Sequence, residues 1–244
     1  DSAVQVARSS DAVIMVLGGD DKTVREEYSR TSLNLMGRQE KLLKSVHSTG
    51  KPVVLVLIDG RAESINWAAD SIPAIIHAWF PGEFTGTAVA RTIFGENNPG
   101  GHLAVSFPKS VGQIPFAFPR KPGSDSPGHV RVAGDLFPFG FGLSYTTFEY
   151  SDLHISNNNI LPSDSVVITC KVKNTGKMGG DEVPQLYIRD DYSSVTTYEC
   201  DLRGFERITL KPGEVKMVSF TLHPQELGLW DINNKFTVEP GQFT

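Results

Sequence analysis

The sequence predicts two classes in series, an α/β layer followed by an all-β sandwich. Three observations predict it. Apolar, β-branched runs alternate with helical patterns up to about residue 107. A proline-dense stretch follows over 108–140. Beyond residue 148 the hydrophobic pattern has period two.

The first residues carry a helical pattern in Ala3, Val4, Val6 and Ala7. The run 12–17, ending in Gly18-Gly19, reads as a fully buried strand. Residues 38–48 are helical, with Gln39, Leu42, Leu43 and Val46 on one face and Gly50 with Pro52 as the stop. PVVLVLIDG at 52–60 is apolar on both faces and predicts a central parallel strand. Then come a helix over 64–69, a strand over 74–79 ended by Pro81-Gly82, a helix over 87–94 and a last strand over 103–107. Such βα units make an α/β/α sandwich domain, assigned to 1–122.

Pro108, Pro115, Pro119, Pro122, Pro127 and Pro138 exclude long helices, and 123–148 is assigned as a Pro/Gly-rich connection. In the third region, 149–244, Val166, Ile168, Cys170 and Val172 form an inward strand face. A strand over 183–189 and the face of Val218, Phe220 and Leu222 continue the pattern. Lys211-Pro212-Gly213-Glu214 suits a type II turn. Short strands over about a hundred residues make a β-sandwich.

Composition excludes several functions. Twenty-three Lys and Arg against 28 Asp and Glu give a net charge of -5, which disfavours a nucleic-acid partner. The apolar run 52–58 is far shorter than the roughly 18 residues a membrane helix needs, so no membrane partner is expected. Cys170 and Cys200 match no zinc spacing, and Cys170 reads as a small buried thiol. His47, His77, His102, His129, His154 and His223 are scattered without an H-E-x-x-H, so no metal site is expected. No G-x-S-x-G elbow occurs. Starting at Asp1 inside a helical pattern and stopping just after the turn 239–241, the chain reads as a fragment of a longer protein.

Open α/β sheets place ligands beyond the carboxyl ends of their strands. The first such connection is long and polar: GGDDKTVREEYSRTSLNL over 18–35, with Asp20, Asp21, Glu26 and Glu27 beside Lys22, Arg25 and Arg30. It reads either as a solvated charged loop or as the carrier of an acid/base, if a neighbouring domain partly buries one carboxyl and raises its pKa. Asp59, after the next strand, reads as a turn or capping residue; Glu83 reads as solvated and Trp79 as core or interface. Gly18-Gly19 lacks the G-x-G-x-x-G pattern, and Asp20-Asp21 would repel a phosphate, so a nucleotide site is set aside.

The segment Glu26-x-x-Ser29-Arg30-Thr31-Ser32-Leu33-x-Leu35-x-Gly37-x-Gln39 resembles the acid/base loop of glycoside hydrolase family 3, the β-glucosidase and β-xylosidase type. KPVVLVLIDG (51–60), AWFPGEFTGTAVARTIFGENNPGGHLAVSFP (78–108) and FPFGFGLSYTTFEY (137–150) match in the family's order. VKNTGKMGGDEVPQLYI (172–188) and LRGFERITLKPGE (202–214) are similar to the family's fibronectin type III-like module. The resemblance implies a retaining exo-β-glycosidase acting on an oligosaccharide or β-glycoside, without a cofactor. It implies an N-terminal barrel with an Asp nucleophile, matched by no segment here, and a Glu acid/base lent by the sandwich domain. The matching position is Glu26, four residues before Arg30, with Glu27 as the fallback. A fragment without the nucleophile would be catalytically silent. A glycosidase role implies export to the periplasm or the medium. The alternative is a non-catalytic carbohydrate-binding or scaffold module, with Trp67, Trp79, Tyr145 or Trp230 stacking on sugars.

Overall fold

The structure is a computed structural model that describes residues 2–124 and 132–244. Pro127 and His129 lie outside the described residues. Two compact units divide the described residues: 2–93, 105–116 and 132–139 form one, and 94–104, 117–124 and 140–244 the other.

In the first unit the chain runs α1 (Ser2–Arg8), β1 (Val13–Gly18), α2 (Gln39–His47), β2 (Val53–Ile58), α3 (Asn66–Ser71), β3 (Ala74–His77) and α4 (Thr85–Ile93). It closes with β4 (Phe107–Pro108) and β5 (Asp135–Phe137). β1, β2 and β3 form one parallel sheet with β2 in the middle. Being central explains why β2 is apolar on both faces: Leu55, Val56 and Leu57 are wholly buried. α2 turns Leu43 and Val46 into the same core, where Ala7, Met15, Ile65 and Ala68 also pack.

Four details depart from expectation. β1 lies at the edge of the described sheet with one face uncovered: Met15 is buried, while Ile14 and Val16, pointing to the other face, are 48% and 57% exposed. Leu42 flanks the α2 face, 39% exposed: it lies close to Val46 round the helix but about 100° from Leu43, on the side away from the core. α3 begins at Asn66 rather than at 64, since Ser64 is used elsewhere: its N–H donates to Leu33 O (2.9 Å) and its hydroxyl to Pro108 O (2.9 Å). The strand expected over 103–107 shrinks to Phe107–Pro108, which pairs antiparallel with β5. Leu103 instead exchanges backbone bonds with Gly140 and Phe141 (2.7 and 2.8 Å).

The second unit is all-β apart from one short helix. Its elements are β6 (Phe148–Ile155), β7 (Val166–Asn174), β8 (Gly180–Glu182), β9 (Gln185–Ile188), β10 (Asp201–Phe205), β11 (Ile208–Leu210) and β12 (Val215–Leu222). α5 (Pro224–Leu227), β13 (Leu229–Trp230) and β14 (Phe236–Thr237) complete it. β12, β7 and β6 make a three-stranded antiparallel sheet; β8 pairs with β11, and β9 with β10. Val172, Ile208, Leu210 and Val218 form a core between strands of different sheets. The strand expected over 183–189 forms as β9, Gln185–Ile188, and Pro184, which has no N–H for a ladder, separates it from β8. Gly213 takes φ +78° and Glu214 N donates to Lys211 O (3.0 Å), as a type II turn requires. Cys170, opposite Val218, and Cys200 are both free thiols. Burial pushes the Cys170 thiol up.

Candidate active site

The site grows from the carboxyl edge of the parallel sheet. β1 and β2 end in register, Gly18 beside Ile58, and β3 ends with His77 beside Leu57. Gly18 has φ +134°, and a Cβ there would lie 2.0 Å from Ile58 O. A Cβ on Gly19 would lie 2.8 Å from an Asp59 carboxyl oxygen. The Gly-Gly pair thus serves close backbone approach at the start of the long crossover.

From that start the crossover is tied down at several points. The Gln39 side chain, on the first residue of α2, accepts from Gly18 N (2.8 Å) and donates to Gly18 O (2.7 Å). Asp20 Oδ1 accepts from Lys22 N (3.1 Å) and from the Thr23 hydroxyl (2.8 Å), closing the first turn. The Thr23 hydroxyl holds the Asp20 carboxyl below its usual range. Val24 is buried at the sheet edge. Arg25 lies on the Tyr28 ring at 4.2 Å and donates to its hydroxyl (2.5 Å). Arg61 Nη2 donates to Tyr28 O (2.6 Å), and Arg30 Nη2 to Asn34 O (2.6 Å).

Between these ties stand Glu26 and Glu27. Both are exposed, and no hydrogen bond or ion pair engages either carboxylate among the described residues. Glu27 adopts φ +68°, a left-handed conformation uncommon for a glutamate. Glu26 is therefore a presented carboxylate on a braced loop, not a structural ion-pair partner.

Beneath the loop lies a buried ionisable cluster. Asp59, directly after β2, is 1% exposed, and Glu63 is wholly buried. His77 Nε2 and Glu63 Oε2 are 2.9 Å apart. The His77 ring packs against Trp79 (centroids 4.3 Å) and edge-on to Phe107 (5.1 Å). Burial raises the Asp59 pKa to about 6, helped by the hydrogen bond and charge of Glu63 and opposed by the charge of Arg30. Asp59 Oδ1 also accepts from Arg61 N (3.1 Å), which is the turn role expected of it. Its burial was not expected.

Glu63 and His77 escape a reading for motifs because neither belongs to one. The available signal is weaker: β2 runs straight into Asp59-Gly60-Arg61 with Glu63 beyond, and β3 ends on a histidine. Ionisable groups that directly follow buried strands must be solvated or partnered, and here Asp59 partners Glu63 and Glu63 partners His77. Glu83 is exposed as expected, and Trp79 is half-buried. Trp67 packs on the first unit's core, while Trp230 is exposed and meets Phe236 edge-on (5.8 Å).

Among the described residues no group of three or more His, Cys, Asp or Glu is placed to hold a metal ion, and no helix is long and apolar enough to cross a membrane.

The family model described as Glycosyl hydrolase family 3 C-terminal domain matches residues 1–145, and that of the Fibronectin type III-like domain matches 182–244. A β-xylosidase of Formosa agariphila is 48% identical over 99% of this chain and 34% of its own length. A periplasmic β-glucosidase of Salmonella typhimurium is 40% identical over 100% of this chain and 33% of its own. The structure of a β-glucosidase from Erythrobacter marinus superposes with a TM-score of 0.93 at 38% identity, covering 99% of this chain and 33% of that one. A β-glucosidase from Listeria innocua in complex with glucose gives 0.90 at 30% identity, covering 99% and 35%. The chain spans about a third of the length of the relatives it matches.

Proposed function

Because the chain belongs to glycosyl hydrolase family 3 and carries a fibronectin type III-like domain, we propose that it is the C-terminal part of a retaining, exo-acting β-glycosidase of the glucosidase or xylosidase type, with Glu26 as its general acid/base. The observation that carries this reading is the exposed, unpaired Glu26 on a crossover braced at both ends.

The chemistry needs two carboxyl groups about 5 Å apart on either side of the scissile bond. One, an aspartate on an N-terminal barrel, attacks the anomeric carbon. Glu26, protonated, gives its proton to the departing glycosidic oxygen as the carbon–oxygen bond breaks and the glycosyl-enzyme forms. Glu26, now a carboxylate, takes a proton from the water that attacks the glycosyl-enzyme and frees the aspartate. The substrate is an oligosaccharide or simple β-glycoside, cleaved from its non-reducing end, and no cofactor enters. Presentation without a structural partner leaves Glu26 available to both proton transfers. Export to the periplasm or medium fits this role, and the Salmonella relative is a periplasmic β-glucosidase.

The test uses the whole protein, barrel included. Glu26→Ala should lose about 10²- to 10⁴-fold activity on alkyl β-glycosides, the range of a general acid, and far less on substrates with good leaving groups. Azide, which needs no base to attack, should restore part of the loss in the second step. Absence of both signatures in Glu26→Ala, with both appearing in Glu27→Ala, would move the role one residue on; their absence in both variants would end the assignment.

A further inference from the structure

We propose that Arg61 is a positioning residue for the acid/base, gripping the loop backbone on both sides of the Glu26–Glu27 pair. The inference rests on the reading of Glu26 given above. Arg61 Nη2 donates to Tyr28 O at 2.6 Å and reaches Arg25 O at 3.5 Å. Arg25 directly precedes Glu26, and Tyr28 directly follows Glu27. One planar nitrogen therefore spans the two peptide units that bracket both carboxylates.

The anchor behind this grip is the buried central strand of the unit. Arg61 N donates to Asp59 Oδ1 (3.1 Å), and Asp59 continues β2, whose Leu55, Val56 and Leu57 are wholly buried. Asp59 is itself fixed among Glu63, Arg30 and the sheet edge. A chain of contacts thus runs from the central strand through Asp59 and Arg61 to the residues flanking Glu26. The stretch 25–28 lies in no helix or strand; its own turn (Tyr28 N to Arg25 O, 3.3 Å) and the Arg25–Tyr28 side-chain pair shape it, and Arg61 ties that turn to the sheet edge. A proton donor misplaced by about 1 Å can cost on the order of a hundredfold, so a grip of this kind has a measurable kinetic consequence. The geometry also favours arginine over lysine, whose single ammonium on a flexible stem cannot present a planar pair of N–H groups to two carbonyls.

The test compares Arg61→Ala, Arg61→Lys and Arg61→Gln in the whole protein, on an alkyl β-glycoside and a dinitrophenyl β-glycoside, with Glu26→Ala run in parallel. Arg61→Ala should lower kcat/KM on the alkyl substrate by about 10- to 100-fold while largely sparing the dinitrophenyl one, and Arg61→Lys should recover part. Hydrogen exchange on this chain should show amides 24–30 exchanging faster in Arg61→Ala, with those of β2 unchanged. Equal losses on both substrates, or none, alongside a selective loss in Glu26→Ala, would overturn the proposal. If Arg61→Ala fails to fold, the same criteria apply to Arg61→Gln. If Glu26→Ala itself shows no selectivity, the acid/base reading falls, and unchanged exchange at 24–30 would then separately refute the grip.

Discussion

The Asp59 carboxyl carries the plainest residue-scale consequence of the structure. Its pKa is raised from 3.8 to about 6, chiefly by burial and then by Glu63. The folded state therefore holds this proton more tightly than the unfolded state does. The stability it contributes is complete below about pH 3.8 and is lost as pH rises through about 6. Asp59→Asn keeps an acceptor for Arg61 N and removes the titration. The wild-type unfolding midpoint should fall between about pH 4 and about pH 7, whereas that of Asp59→Asn should fall less over the same interval. An equal fall in both proteins would show that Asp59 does not titrate there. None of this was readable from Asp59-Gly60-Arg61 alone. The turn role is local and visible in sequence, but the buried setting also involves Arg30 and Gly19 from the first crossover, besides Glu63 four residues on.

At the scale of elements, the crossover after β1 behaves as a braced segment although it is neither helix nor strand. Gln39 fastens its beginning by bonding both polar groups of Gly18, so the first turn of α2 and the last residue of β1 move together. Gln39→Ala should cost about 1–3 kcal/mol in urea unfolding, because two backbone groups at a crowded strand end lose their partners. Amides 18–24 should exchange faster in that variant. A loss within experimental error would mean that water satisfies Gly18 without cost. The helical period places Gln39 on the inward side of α2, but it does not foretell that the amide reaches a strand end 21 residues earlier. The same limit explains the late start of β9 after Pro184 and the short β4. Hydrophobic pattern marks where a strand can form, while the pairing partner decides where it does.

At the scale of the whole molecule, the chain spans about a third of the relatives it matches, and the proposed chemistry needs a second carboxylate from outside it. The chain by itself should not turn over aryl β-glucosides or β-xylosides. Measurable hydrolysis by the purified chain, abolished by Glu26→Gln, would show that it holds both halves of the pair.

Period and composition alone determined the two classes, the central place of PVVLVLIDG, the turn at Lys211-Pro212-Gly213-Glu214 and the loop on which Glu26 stands. Each is set by neighbours within a few residues: apolar alternation, β-branching, or a glycine where φ must be positive. Only the tertiary structure decided that β1 has an open face, that Asp59, Glu63 and His77 meet out of water, and that Arg61 reaches back to the residues flanking Glu26. The physical reason is distance along the chain. Arg61 and Tyr28 are 33 residues apart, and nothing local fixes the end of a long side chain until the parallel pairing of β1 with β2 brings their carboxyl ends together.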